Sequence, residues 1–435
     1  MSKAKPALTD DENLILAESA DSVDEVLGKF YGRYPWPWQA MKFDYLSDPD
    51  LETILLNQDL GDWEHQRIPE KPRVWVAGCG TNQALMTALR FPKGSIIGTD
   101  VSEKSLELCH RAAQDAGVTN LELKLESINK ANYEEEFDYV ICTGVIHHNA
   151  YPEVSLKGLA RALKPDGILE LMVYNRFHRT LTSAFQKTIR ILGRTNGQPD
   201  FESGLALAKK LLANFPVENH MSEWLAELTD RPEADLADLL IQPVEHSYTV
   251  ASLNTMAEDC GLKMLHPCIT LYVKLRLLNT TWNMEFADGE LQRSYDELPD
   301  LDRWQVSNLL LHEKTPLLWF FLQRRDSAHP RKTENEIDEE FLDTVFQKIS
   351  AQQESFIRGA DGVFKPSPRT VPFPLSQPEA SVRDILNGAD GKTSMREIFE
   401  ELKIEPTFQN INKARRSLTT VASPYLRAVR RSQDD

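Results

Sequence analysis

The chain has 435 residues, a formal net charge of -17 and a pI near 5.2, enough length for two domains or for one with large insertions and a sizeable core. The acidity disfavours nucleic acid as a partner, because phosphate binding rests on Lys and Arg. No apolar run reaches the ~20 residues of a membrane span, and the acidic start "MSKAKPALTDDENLILAESADS" stands where a signal peptide needs a hydrophobic run. The expectation is a cytoplasmic protein with no membrane partner, a monomer or homodimer. The five cysteines (Cys79, Cys109, Cys142, Cys260 and Cys268) are odd in number and lack CxxC spacing. They read as small apolar packing residues, with neither disulfides nor a metal site.

In chain order, residues 1–65 hold an acidic lead-in and then "FYGRYPWPWQAMKFDYL", whose prolines predict an ordered aromatic loop. From Arg73 strands and helices alternate: "VWVA", a helix after Thr81, "SIIGTD", a helix from Ser102 to Gly117, "LELKLE", "FDYVICTGV", a helix in "SLKGLARALKPDG", and "ILELMVYN". That alternation is the βαβ signature of a parallel α/β sheet. The pattern stops after Asn175, and about 180–246 reads as a helical insertion. It resumes with a helix from Val250 closed by Gly261, a short strand, and much later "PLLWFFLQRR". Residues 66–326 therefore form the main domain. Residues 327–380 read as a linker with a helix near Phe341 to Ser350, and 381–435 as a small helical module ending in the basic run "NKARRSLTTVASPYLRAVRR".

The strand-to-helix turn "AGCGTNQ" points backbone N–H groups and a helix start at a ligand. A dinucleotide-binding loop needs G-x-G-x-x-G, yet Gln83 stands at its third glycine, and the chain has no Tyr-x-x-x-Lys pair. A nicotinamide oxidoreductase is thus the weaker reading. S-adenosylmethionine has no pyrophosphate and asks only for a bend near its amino-acid end and ribose, which Gly78 and Gly80 can supply. Asn82, third in G-x-G-x-N, is tolerated as a residue that visits left-handed geometry. Asp100 closes the second strand 22 positions after Gly78, near the spacing of an acid that accepts ribose hydroxyls. Glu126 and Ser127 can accept from an adenine amino group, and Ile128 can cover its ring. Thr143 and Gly144 would border the sulfonium at the end of the fourth strand.

These segments resemble the class I S-adenosylmethionine-dependent methyltransferases: "VWVAGCGTNQ" is similar to their first motif, "IIGTDVS" to their ribose acid, and "FDYVICTGVIHHNAYPEVSLKGLARALKPDGILELMVYN" to their later motifs. The resemblance spans about Arg73 to Asn175 and, with the upstream "YPWPW", extends to a bacterial group within that superfamily. It implies a Rossmann-like sheet of seven strands with the last antiparallel, for which "PLLWFFLQRR" is the candidate. It implies S-adenosylmethionine as cofactor, with Ala77, Gly78, Cys79, Gly80, Asn82, Gln83, Asp100, Val101, Glu126, Ser127, Ile128, Thr143 and Gly144 around it. The sequence departs from the common pattern at Asn82 and at Ser127, where Asp is frequent.

Methyl transfer is an in-line displacement that rests on positioning, with a base only for a protonated nucleophile. His148 and then His147 are the candidate bases, since imidazole titrates near neutrality. Tyr31, Tyr34 and Trp36 can fold over the cofactor, with a ring near the sulfonium. Tyr174, Arg176, Arg179, His246 and Tyr248 are candidates to line the acceptor side. The size of the insertion favours a medium-sized metabolite acceptor. The alternatives are a peptide or protein acceptor docked by the C-terminal module, and a binding module without catalysis.

Overall fold

The computed structural model describes residues 20–37, 40–193 and 200–430. Helix α1 (Ala20–Arg33) leads into a Pro-bearing strap and strand β1 (Lys42–Leu46), followed by α2 (Leu51–Asp59). The predicted aromatic loop is therefore shorter than expected. Phe30 to Arg33 finish a helix and Lys42 to Leu46 form a strand, because the prolines interrupt only the residues between them.

The central sheet begins with β2 (Arg73–Ala77), α3 (Gln83–Arg90), β3 (Ser95–Asp100), α4 (Glu103–Asp115) and β4 (Leu121–Leu125). It continues with β5 (Phe137–Thr143), α5 (Pro152–Ala162) and β6 (Leu163–Tyr174). Four helices make the insertion: α6 (Thr180–Gly193), α7 (Phe201–Ala213), α8 (His220–Ala226) and α9 (Glu233–Leu240). Then come α10 (Val250–Asp259), β7 (Leu262–Pro267), α11 (Leu271–Leu275), α12 (Gly289–Asp296), α13 (Asp300–Leu310) and β8 (Leu317–Arg324). The strand order is β4-β3-β2-β5-β6-β8-β7. The first five strands are parallel, and β8 is antiparallel to both neighbours, as expected for "PLLWFFLQRR". This is the class I methyltransferase fold.

The periodicity that made these strands legible is burial on both faces of the sheet. Val74, Trp75, Val76 and Ala77 of β2 are all buried. One face packs on Leu156 and Leu159 of α5, Leu253 of α10 and Trp304 of α13; the other packs on Leu56 of α2, Leu85 of α3 and Cys109 of α4. All five cysteines are buried free thiols. Among the described residues, no helix is long and apolar enough to cross a membrane.

The C-terminal region departs from the sequence expectation. The helix expected near Phe341 to Ser350 is instead α14 (Glu334–Leu342), started earlier by a capping box between Thr333 and Glu336. Phe346 then enters the core in β9 (Phe346–Lys348). Strand β10 (Ala351–Arg358) follows, with the short strands β11 (Phe364–Pro366) and β12 (Val371–Phe373) paired on it. The module itself is mostly helical, as expected: α15 (Arg383–Gly388), α16 (Met395–Glu401) and α17 (Phe408–Leu418) are followed by the short strands β13 (Thr419–Thr420), β14 (Ser423–Pro424) and β15 (Leu426–Ala428). Strand β15 pairs with β9, which is why Phe346 cannot continue a helix.

This region interlocks with the chain's beginning. Strand β1 pairs antiparallel with β10 from Lys42↔Ile357 to Leu46↔Gln353. The buried amide of Gln58 in α2 donates to the carbonyls of Thr419 and Leu426 and accepts from the amide of Ala428. Removal of residues 331–435 strips β1 of its partner and leaves Gln58 unsatisfied, and each such buried group costs about 1–3 kcal/mol. The truncated chain is expected to lose a cooperative melt in thermal unfolding. A melting temperature equal to that of the full chain would show the interlock to be dispensable.

Candidate active site

The glycine turn lies between β2 and α3. Gly78 and Gly80 hold φ of +70° and +53°, where an L side chain is strained. At Gly80 a Cβ would also lie 2.6 Å from the carbonyl oxygen of Trp36, so the aromatic strap rests directly on this turn. Thr81 secures it by donating its hydroxyl to the carbonyl of Pro37 at 2.6 Å. Asn82 does not take the left-handed geometry expected of it. Its φ is -136°, and it begins α3, because the two glycines alone complete the bend.

Asp100, at the end of β3, is the electrostatic centre of the crevice. Its Oδ2 accepts the amide of Gly80 and its Oδ1 the amide of Ser102, each at 2.8 Å. Burial raises its pKa, and these amide hydrogen bonds oppose the rise. A carboxylate has about four lone-pair sites, so acceptor capacity remains for ribose hydroxyls. Gln83 donates its side-chain amide to Thr143 at 2.7 Å and ties the turn to the end of β5. The amide of Gly144 donates to the carbonyl of Met172.

Sequence reasoning missed helix α1 as the roof of this crevice. At Gly28 a Cβ would sit 2.9 Å from the carbonyl of Val101, so glycine allows the helix to cross the strand end. One turn earlier, Asp24 accepts the hydroxyl of Ser127 at 2.6 Å and the side-chain amide of Asn129 at 3.1 Å. A carboxylate thus stands beside Ser127, supplied from a helix about a hundred residues away. Glu126 accepts the hydroxyl of Tyr133 at 2.9 Å, while Ile128 is buried in the core. Tyr31 and Tyr34 are engaged by the insertion. Tyr34 packs with Phe30 in the apolar centre of the insertion, and the Tyr31 hydroxyl donates to Asp238 and accepts from Gln242.

The acceptor side lies beyond β5 and β6. His147 and His148 follow β5 in a 3-10 turn, with rings 4.2 Å apart, and the His147 ring lies 4.0 Å from that of Tyr174. His148 Nδ1 lies 2.8 Å from the carbonyl of Val244, which fixes that nitrogen as the N–H. Both ring nitrogens of His147 are buried without a hydrogen-bond partner among the described residues. Arg179 covers the ring of Tyr174 at 4.2 Å and forms a buried ion pair with Glu245. Its charge is therefore already committed. Arg176 donates to the carbonyl of Ser247, the amide of Tyr248 donates to the carbonyl of Tyr174, and the amide of His246 donates to that of His147. These contacts zip residues 246–248 along the strand ends, beside the histidine pair.

Burial pushes His148 down to about 4 and His147 well below its ordinary value. Both are neutral at pH 7 and can accept a proton or hydrogen bond. Because the folded pKa of His148 lies below the unfolded value near 6.5, its neutral burial favours folding fully above pH 6.5, and the advantage drains as pH falls to about 4. At ~1.4 kcal/mol per unit the window is worth about 3 kcal/mol. A His148→Asn variant is expected to lose stability less steeply than wild type between pH 6.5 and 4, read by denaturant unfolding. Parallel curves would place the histidine outside the titrating set.

Residues 73–203 match the family model described as a methyltransferase domain. An uncharacterised protein of Synechococcus is 27% identical over 71% of this chain and 73% of its own length. The (S)-coclaurine N-methyltransferase of Papaver somniferum is 27% identical over 28% of the chain and 35% of its own. Among solved structures, PKMT2 from Rickettsia typhi in complex with AdoHcy superposes with a TM-score of 0.55 at 15% identity, covering 85% of this chain and 76% of its own. Residues 73–203 thus match a methyltransferase domain, and the chain has the class I methyltransferase fold.

Proposed function

We propose that the protein transfers the methyl group of S-adenosylmethionine to a medium-sized metabolite held beneath the helical insertion. The carrying observation is the burial of the His147–His148 pair at the end of β5. His147 and His148 are only 0% and 3% exposed, and the insertion covers them, so an acceptor must enter the protein rather than lie on its surface. Such enclosure favours a small molecule over a folded protein. The C-terminal module, offered as a docking unit for a peptide acceptor, is woven into β1 and α2, and that gives it a structural task of its own.

The crevice fits the cofactor. Gly78 and Gly80 offer backbone rather than side chain to its amino-acid end, Asp100 retains lone pairs for the ribose, and Asp24 with Ser127 brings acceptors to the adenine side, next to Val101 and Ile128. Bound there, S-adenosylmethionine supplies an electrophilic methyl carbon. Tyr174 and His147 hold the acceptor in line with it, and a neutral imidazole with an unengaged lone pair takes the hydrogen bond of a hydroxyl or amine and receives its proton as the new bond forms. His148, fixed by Val244, holds the His147 ring from the other side.

Replacement of Asp100 by Ala removes the anchor of Gly80 together with the ribose acceptor. AdoHcy affinity is expected to fall by about a hundredfold, worth ~2.7 kcal/mol, in calorimetry on a variant that still folds. Retained affinity would dismiss the crevice as the cofactor site. The acceptor class is tested with methyl-labelled S-adenosylmethionine in a cell extract separated by size. Label in the small-molecule fraction, lost at least tenfold with His147→Phe, is the expected result, whereas label confined to protein would point to the peptide reading. No label despite AdoHcy binding would favour a module without catalysis.

A further inference from the structure

A second cavity, of about 530 Å³, lies at the seam between the sheet and the C-terminal module. That is the size of a metabolite pocket, at an interface where such pockets form. One wall is the segment after β7, including Lys274 of α11 and Asn283; the other comes from α17, including Lys413 and Arg416. The basic run near the chain's end, which the methyl-transfer chemistry leaves without a role, thus lines a hollow.

The polar groups of this hollow are incompletely satisfied. The Arg416 side chain is 8% exposed and pairs with Glu334, yet its Nε–H is buried with no acceptor among the described residues. The Oδ1 of Asn283, a residue 7% exposed, is buried with no donor among the described residues, while its Nδ2 donates to Glu334 and Asn412. Lys274 gives two of its three donors to the carbonyl of Ala422 and the hydroxyl of Ser423. Against these cations stand Glu285, exposed at the rim, and Glu379, whose carboxylate accepts the hydroxyl of Ser417. A buried donor and a buried acceptor without partners each cost free energy that a bound group recovers.

We infer that this cavity binds a hydroxylated anionic metabolite, its phosphate or carboxylate held by Lys413, Lys274 and the Nε–H of Arg416, and its hydroxyl donated to Asn283. The site is separate from the cofactor crevice, so its failure would leave the methyltransferase reading intact.

Calorimetry on the full chain, with glucose 6-phosphate and citrate as probes and sodium chloride at matched ionic strength as control, tests the inference. At least one probe is expected to bind at a single site with millimolar or tighter affinity. Lys413→Glu, at a half-buried position, is expected to weaken that binding at least tenfold while leaving AdoHcy binding and the melting temperature unchanged. Binding of the sugar phosphate alone assigns a phosphate ligand, and binding of citrate alone assigns a carboxylate. Overturning results are heats from both probes no greater than from sodium chloride, or equal affinity in wild type and the Lys413→Glu protein.

Discussion

The pair of hydrogen bonds that Asp100 accepts from the amides of Gly80 and Ser102 holds the cofactor crevice in shape. Two adjacent parallel strands, β2 and β3, end in loops that must turn away from each other, and one carboxylate fastens both turns. Desolvation raises the pKa of this buried carboxylate, and the amide hydrogen bonds that it accepts oppose the rise. Everything above the crevice is then built on backbone: the carbonyl of Trp36 on Gly80, the carbonyl of Val101 under Gly28. Backbone approaching backbone leaves no side chain to yield, which makes the geometry stiff at the point where a cofactor must be aligned.

How much of this was legible depended on the sequence distance over which each feature is determined. The turn, Asp100 and the strand alternation are local, set by neighbours within a few dozen residues. They could be read from "AGCGT" and "IIGTD". The antiparallel strand β8 was legible as a run of apolar residues, since burial on both faces leaves no alternation. By contrast, "KFDYL" is a strand only because β10, some three hundred residues later, pairs with it, and Tyr45 donates to Glu354 across that ladder. Asp24 meets Ser127 for a similar reason. Nothing in an amphipathic helix marks the carboxylate that will face a distant strand end. Asn82 was misread because its tolerance for left-handed geometry permits such a conformation without requiring it.

The histidines show where residue type and environment part. Imidazole chemistry suggested bases tuned near neutrality, but both rings are enclosed, and burial pushes them down instead. A base with a low pKa is weak as a proton reservoir, yet it presents a bare lone pair at every physiological pH. For a displacement in which the nucleophile sheds its proton late, a fixed acceptor of that kind favours alignment over proton removal. The stacked Tyr174 ring serves the same end by confining the His147 plane.

Both units added to the sheet are fastened by buried ion pairs, although the chain carries an excess of acid on the whole. The insertion is held by Arg179 on Glu245, which also accepts from Gln186, and the C-terminal module by Arg415 on Asp338 and Arg416 on Glu334. Such pairs add little net stability, because the desolvation of two charges offsets much of their attraction. Their consequence is geometric. A slip of α17 or of the 245–248 segment by one residue would leave a charge buried and unpaired, costing about 3–5 kcal/mol, so alternative packings are penalised far more than the native one is rewarded. The apolar faces alone would tolerate such slips, since leucines and phenylalanines exchange neighbours cheaply. With the ion pairs in place, the surroundings of His147 and the walls of the seam cavity stay fixed, and recognition at either depends on that registration.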